Sequence, residues 1–420
     1  MTDTGSSGSP GAFLRSLGPG LITGAADDDP SGIATYSQAG AQFGYSLAWT
    51  MFLTLPFMAA IQIISAVIGW QTQEGLSRNI ARRLSKPVLF FLVALLVIAN
   101  TINIAADLAA MADSLRLVID GPALVYAAVF GAACLIAEVF IPYHRYAGYL
   151  KFLTMVLFVY VAAAFSVHIP WGEVAVSTLL PAFSLHGDYL LTIVAVFGTT
   201  ISPYLFFWQA SQEAEESHLS HRHQFRAQEY TEAQAFRHIS MDTWTGMIVS
   251  NVIAYFIIVT TAATLHAQGV TNIQTAAQAA EALRPIAGEL TFALFAAGII
   301  GTGLLAVPVL AGSAAYAVAE AFGIGGSLEL PANRALGFYG IVGASTLGGV
   351  VLVGAHLDPI KMLFWTAVIN GIAAVPIMAA MMFVVSGGAL VLPRWLKWLG
   401  WLATVLMALA VFLLFWSSVG

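Results

Sequence analysis

Charge is what this sequence lacks most. Of 420 residues only 9 % are charged, while 59 % are hydrophobic and the mean hydropathy is +0.83. A soluble globular domain carries about 25 % charged residues, so a water-facing surface for a chain of this size is excluded. Lipid must be the solvent, and helices are the means of spanning it, because their backbone hydrogen bonds close internally. Cysteine is nearly absent too. The lone Cys134 lies in an apolar run and excludes both an intrachain disulfide and a thiolate metal cluster. No ATP-binding P-loop is found, which argues against primary pumping. The N-terminal MTDTGSSGSPGAFLRS lacks a short apolar region ending in a cleavage site, so no cleavable signal peptide is expected. The net charge of −6 decides little, and nothing implies a nucleic-acid or obligate protein partner.

Runs of about 20 predominantly apolar residues read as membrane spans. Eleven appear, at 17–42, 46–70, 88–116, 122–142, 149–167, 188–212, 243–266, 290–320, 335–354, 359–384 and 397–418. Cytoplasmic loops are enriched in Lys and Arg. With the N-terminus inside, Arg15, Arg78, Arg82, Arg83, Lys86, Arg145, Lys151, Arg222, Arg226, Arg237, Arg334, Arg394 and Lys397 fall on the cytoplasmic side, and only Arg116, Arg284 and Lys361 outside. One helix more or fewer scrambles that bias. The expected location is therefore the plasma membrane of a prokaryote, with the C-terminus outside. The one long polar stretch, 213–242, contains His218, His221, His223 and His238. Their spacing matches no closed zinc site, and the stretch reads as a solvated loop.

Two spans are interrupted. GAADDDPSGIA, residues 24–34, sets Asp27, Asp28 and Asp29 before Pro30 and Gly32 in the middle of the first. VFGTTISPYLFFWQ, residues 196–209, places Gly198, Thr199, Thr200, Ser202 and Pro203 in the sixth. Proline removes a backbone donor and glycine weakens the same turn. Interruptions repeating after five helices mark an inverted-repeat secondary transporter whose site lies between the breaks. The expected fold is all-α, a LeuT-like repeat of five plus five spans with the first and sixth broken, and one added helix. In residues this is a tail at 1–16, repeats at 17–167 and 188–384, and a final helix at 397–418.

Intramembrane acids are costly and mark ion pathways. Three adjacent carboxylates at mid-bilayer call for a wet, cation-binding site. The first break offers Asp29, Asp28 and the carbonyls near Ala26. The second offers the Thr199 carbonyl and the hydroxyls of Thr199, Thr200 and Ser202. Neither supplies sulfur or imidazole. All-oxygen sites suit hard ions such as Mg²⁺, Ca²⁺ and Mn²⁺, and Mg²⁺ keeps several of its waters.

GPGLITGAADDDPSGIATYSQAGAQFGYSLAW resembles the first span of the NRAMP divalent-metal transporters, with its initial Gly-Pro, an acidic break and an aromatic-Gly-Tyr-Ser-Leu run. FGTTISPYLFF stands in the place of their sixth-span Met-Pro-His motif, and AADLAAMAD, 105–113, in that of their third-span Asp-Leu-Ala-Glu. The resemblance makes Asp29 the match of the family's metal-binding Asp and Gly32 that of its Asn. Ser202 stands for its soft methionine. Tyr204 stands for the histidine implicated in proton movement, Gln209 for a second histidine, and Ala110 for a glutamate; the family's Asp is kept as Asp107. That combination is similar to the NRAMP-related magnesium transporters, a branch without proton coupling. The resemblance thus implies Mg²⁺, with Mn²⁺ as second substrate, held at Asp29, Asp28, Ala26, Gly32, Thr199 and Ser202. Asp27, Thr200, Tyr204, Gln209, Asp107 and Asn370 are outer-shell or pathway candidates, with Asp28 and Asp27 holding the ion's waters. The metal is cargo, and no resident cofactor is expected.

Asp107 lines a pathway or pairs with Asn103 one turn away. Asn370 faces the ion or makes an interhelical hydrogen bond. Glu138 reads as an interfacial residue or helix contact. Three other functions are weighed. A proton-coupled Mn²⁺/Fe²⁺ transporter needs a soft ligand that neither break supplies. For an amino-acid or amine transporter of the same architecture the three acids make an anionic substrate group unwelcome, while a cationic amine is tolerated. An intramembrane aspartyl protease with Asp29 and Asp107 as dyad lacks the Gly-x-Gly-Asp signature. The chain is expected not to be an enzyme.

Overall fold

The computed structural model describes residues 19–141, 155–181, 183–222, 232–355, 358–388 and 390–419. The 1–16 tail, with Arg15, lies outside these, as do Arg145, Lys151, His223 and Arg226. Among the described residues every regular element is helical. In chain order the α-helices are α1 (Pro19–Asp27), α2 (Pro30–Phe43), α3 (Trp49–Thr72), α4 (Leu76–Ala81), α5 (Lys86–Arg116), α6 (Ala123–Phe140), α7 (Phe158–Ser166), α8 (Trp171–Leu179), α9 (Gly187–Thr200), α10 (Pro203–Arg222), α11 (Glu232–Thr264), α12 (Ala276–Ala280), α13 (Arg284–Ala287), α14 (Thr291–Phe322), α15 (Leu336–Val353), α16 (Pro359–Ser386) and α17 (Arg394–Val419).

Among the described residues nine helical segments are long and apolar enough to cross a membrane, and ten if the pair Met155–Ser166 and Trp171–Leu179, bent by 119°, is one span. The expected first span does not pass that test because its break leaves pieces of 9 and 14 residues. The fifth begins outside the described residues and ends where α7 turns into α8. The polar 213–242 stretch is helical at both ends, α10 running to Arg222 and α11 starting at Glu232. Polar sequence here continues two spans beyond their apolar parts.

Burial sorts the helices. The α9–α10 segment is 94 % buried over its most apolar window, against 22 % for α6. The broken span therefore runs through the protein interior, where unwound backbone is tolerated, and α6 lies against lipid. The packing pairs α1 with α11 and α10 with α3, so one half of each broken span leans on the span following the other break. The α1–α11 contact, and that of α9 with α16, are backbone on backbone. A Cβ on Gly24 would collide with the Gly246 peptide, and one on Gly198 with the Ala367 carbonyl and Gly371. Small residues permitting such approach drive helix association in lipid, where no hydrophobic effect operates between helices.

Candidate ion site between the two helix breaks

Each break is two residues long and ends on proline: Asp28-Asp29 before Pro30, and Ile201-Ser202 before Pro203. Proline is preorganised for the first helical turn, whose N–H would be unpaired anyway. The two breaks are closed in opposite senses. Asp29 caps forward: extended at φ −68° and ψ 170°, it accepts the Gly32 N–H on Oδ1 at 2.7 Å. Ser202 caps backward: its hydroxyl lies 2.8 Å from the Gly198 carbonyl and 2.9 Å from that of Thr199. One hydroxyl proton thus serves two of the carbonyls left free at the end of α9.

Gly32 is helical and does not unwind α2. Its place is set by its N–H to Asp29 and by the approach to α9, where a Cβ would stand 3.1 Å from Thr199 Oγ1. Thr200 turns its hydroxyl back to the Val196 and Phe197 carbonyls at 3.0 and 3.3 Å. Tyr204 crosses between the breaks and donates to the Ala26 carbonyl oxygen at 2.9 Å.

The three acids divide. Asp27 and Asp28 share the Ser250 hydroxyl of α11, which lies 2.7 Å from Asp27 Oδ2 and 3.1 Å from Asp28 Oδ1. Asp29 Oδ2 instead accepts from Asn103 Nδ2 at 3.1 Å, and the same nitrogen lies 3.1 Å from Asp107 Oδ2. Asn370 Nδ2 completes the set, 3.3 Å from Asn103 Oδ1. Asp29, Asn103, Asp107 and Asn370 are all at most 2 % exposed, so α2, α5 and α16 meet in one buried polar network. Asp107 pairs with Asn103 one turn away and Asn370 makes an interhelical hydrogen bond, both within the network that holds Asp29.

Gln209 lies apart, bonded to Thr23 of α1 and, at 3.3 Å, to Glu213. Beyond it Asp242 of α11 accepts the Gly20 N–H at 2.7 Å and that of Leu21 at 3.3 Å, capping α1 from outside. A carboxylate at a helix N-terminus meets both the free N–H groups and the helix dipole. These contacts tie α1 to α10 and α11 at the end of the bundle that carries Arg78 and Arg82.

Asp27 Oδ1 and Asp107 Oδ1 are buried with no hydrogen-bond partner among the described residues. No three His, Cys, Asp or Glu side chains there converge closely enough to hold a metal between them. The region between the breaks therefore offers separated carboxylates, carbonyls, hydroxyls and amides. Such a set suits an ion that keeps several of its waters. Asn103 was legible only as a neighbour of Asp107, one helical turn away. Ser250 carried no local signal, being 223 residues from Asp27 in sequence. Glu138 is buried, and neither carboxylate oxygen has a partner among the described residues.

Comparison with known proteins places the chain and its fold. The divalent metal cation transporter MntH of Klebsiella pneumoniae is 26 % identical over 418 residues, covering 97 % of this chain and 94 % of its own. MntH of Pectobacterium carotovorum is 25 % identical over 408 residues, covering 94 % and 92 %. Among solved structures, the Eremococcus coleocola manganese transporter superposes with a TM-score of 0.72 at 17 % identity, covering 97 % of this chain and 87 % of that one. Mhp1, a nucleobase-cation-symport-1 family transporter in a closed conformation, gives 0.57 at 13 % identity, covering 96 % and 91 %. The LeuT-like fold follows from these likenesses. The family model of natural resistance-associated macrophage protein-like sequences matches residues 20–417, and the chain belongs to that Nramp family.

Proposed function

We propose that this protein is a transporter, not an enzyme, and moves divalent metal cations across the plasma membrane by alternating access. Mg²⁺ is its principal substrate, Mn²⁺ its second, and proton coupling is absent. Divalent-metal transport is supported by family membership and by the names of its bacterial relatives. The preference for Mg²⁺ rests on one observation: the donors facing the two breaks are oxygens and amides, with Ser202 and Tyr204 flanking Pro203. Thioether and imidazole select softer metals, and an oxygen set with room for water suits an ion that dehydrates reluctantly.

In this reading Asp29 supplies the charge that attracts the ion, and Asp107 the second charge. Asp27 and Asp28, held by Ser250, bind its outer waters. Opening requires separate movement of the half-helices. The Thr23–Gln209 contact and the Asp242 cap close the side that faces the cytoplasm when the N-terminus is inside. A second reading, a proton-coupled Mn²⁺ transporter, draws support from the manganese named for the Eremococcus coleocola protein.

Uptake into proteoliposomes, with internal pH recorded, separates the two. Mg²⁺ and Mn²⁺ uptake without acidification, and little Cd²⁺ uptake, is the expected result. Acidification that tracks Mn²⁺ entry, with Mg²⁺ excluded, establishes the second reading instead.

A further inference from the structure

We infer that Asn103 and Asn370 form an amide switch that sets the affinity of the site: an arriving cation turns the Asn103 amide over, and Asn370 receives its displaced N–H. The inference rests on Asp29 and Asp107 being carboxylates of the ion site.

A primary amide nitrogen carries two hydrogens and has no acceptor capacity. Asn103 Nδ2 uses them on two acids, at 3.1 Å from Asp29 Oδ2 and 3.1 Å from Asp107 Oδ2. Those oxygens therefore lie no farther apart than twice that distance, with the nitrogen between them. A cation bound by both carboxylates sits in the space those two N–H groups point into. The N–H dipoles pointing there repel it, so Asn103 in this orientation competes with the ion. The site carries its own competitor.

Rotation of the amide by half a turn exchanges Nδ2 for Oδ1. The carbonyl oxygen then faces the carboxylates and becomes a neutral ligand. The displaced N–H₂ faces Asn370, which now donates its own Nδ2 to Asn103 Oδ1 at 3.3 Å. Asn370 is also an amide, so its oxygen accepts as readily as its nitrogen donates. In either orientation one amide of the pair donates to the other, and a cation at the carboxylates replaces the two N–H groups they lose. Two arrangements that a ligand tells apart make a switch. Because Asn103 is on α5 and Asn370 on α16, the rotation reports ion occupancy to a helix packed against both broken spans.

The test uses the full-length purified protein and isothermal titration with MnCl₂ and MgCl₂ alone, with thermal melting of each variant as the fold control. Asn103→Asp removes the competing donor and adds charge, so it binds either ion about tenfold more tightly, as added ligand charge does elsewhere, and its uptake slows because release is impaired. Asn370→Asp keeps an acceptor for the rotated amide and removes the donor that holds the present orientation; it tightens binding by a smaller factor. Unchanged or weaker binding in both variants, with melting intact, overturns the switch. If Asn370→Asp lowers melting without changing affinity, the contact is structural and the inference is again wrong. Asp29→Asn in the same series separates the two levels. Undiminished metal binding in that variant removes the site itself, whereas its loss beside unaltered Asn103 and Asn370 variants removes the switch alone.

Discussion

The Tyr204 hydroxyl donates to the Ala26 carbonyl oxygen at 2.9 Å, so a residue that follows one helix break closes a last-turn carbonyl ahead of the other. Ala26 lies in the last turn of α1, where carbonyls have no partner within the helix. An ion that uses this oxygen must share it with the phenol or displace it. Tyr204→Phe removes the rival donor and little else. Its expected effect is tighter Mn²⁺ and Mg²⁺ binding by roughly fivefold, the worth of about one net hydrogen bond, together with a lower melting temperature in the absence of metal. Titration calorimetry on the purified variant measures the first and a melting curve the second. An unchanged dissociation constant would take the Ala26 carbonyl out of the ion's path.

Asp29 has two duties that one pair of substitutions separates. As N-cap it accepts the Gly32 N–H, and as a carboxylate it carries the charge. Asparagine caps a helix about as well as aspartate, while alanine costs about 1 kcal/mol. Asp29→Asn is therefore expected to melt close to the parent protein and to lose metal uptake almost completely. Asp29→Ala loses both, melting lower by that capping energy. Uptake surviving in Asp29→Asn shows that the charge is not needed. Equal melting of the two variants shows that the cap contributes nothing.

Ser202 is the position at which metal choice is expected to turn. Its hydroxyl covers the Gly198 and Thr199 carbonyls, and it is the last residue of the second break, without a soft atom. Ser202→Met brings a polarisable thioether to the same place and takes away the carbonyls' donor. Thioether sulfur favours softer cations. The ratio of Cd²⁺ to Mg²⁺ uptake in proteoliposomes should rise by about an order of magnitude, mostly through new Cd²⁺ entry. A ratio that stays fixed while both fluxes fall means that residue 202 shapes the break without touching the ion.

What could be read in advance follows from the range of each interaction. Pro30 and Pro203 mark breaks because proline acts on its own turn, and both half-helices begin on them. The Asp29 cap is equally local, but from sequence Asp29 reads only as the charge at the break. The division of the three acids was not legible, because it depends on Ser250 and Asn103, which lie 223 and 74 residues away. Tyr204 could be placed beside Pro203, but not against Ala26, 178 residues off. Counting spans by hydropathy works for unbroken helices. It finds the first span too, at 17–42, but as helix that span is two pieces of 9 and 14 residues, because the interruption divides it.

Glu138 tests whether every buried acid in this protein serves the ion. The buried face of α6 is Ala127, Gly131, Cys134 and Glu138, a stripe of small residues with one carboxyl group at its end. The rest of the helix is largely open to lipid. Both Glu138 oxygens are buried without a hydrogen-bond partner among the described residues. An unsatisfied buried polar group costs about 1–3 kcal/mol, and more where lipid rather than water is the surroundings. Glu138→Leu keeps most of the volume and removes that cost, so the variant is expected to melt higher than the parent by an amount of that order. Mg²⁺ uptake is the second measurement. Higher stability with unchanged uptake makes Glu138 a burden on the fold. Higher stability with lost uptake makes it a group retained for transport, at a place none of the hydrogen bonds around Asp29 reaches. A lower melting temperature contradicts the premise, since it requires a partner that holds the carboxyl group.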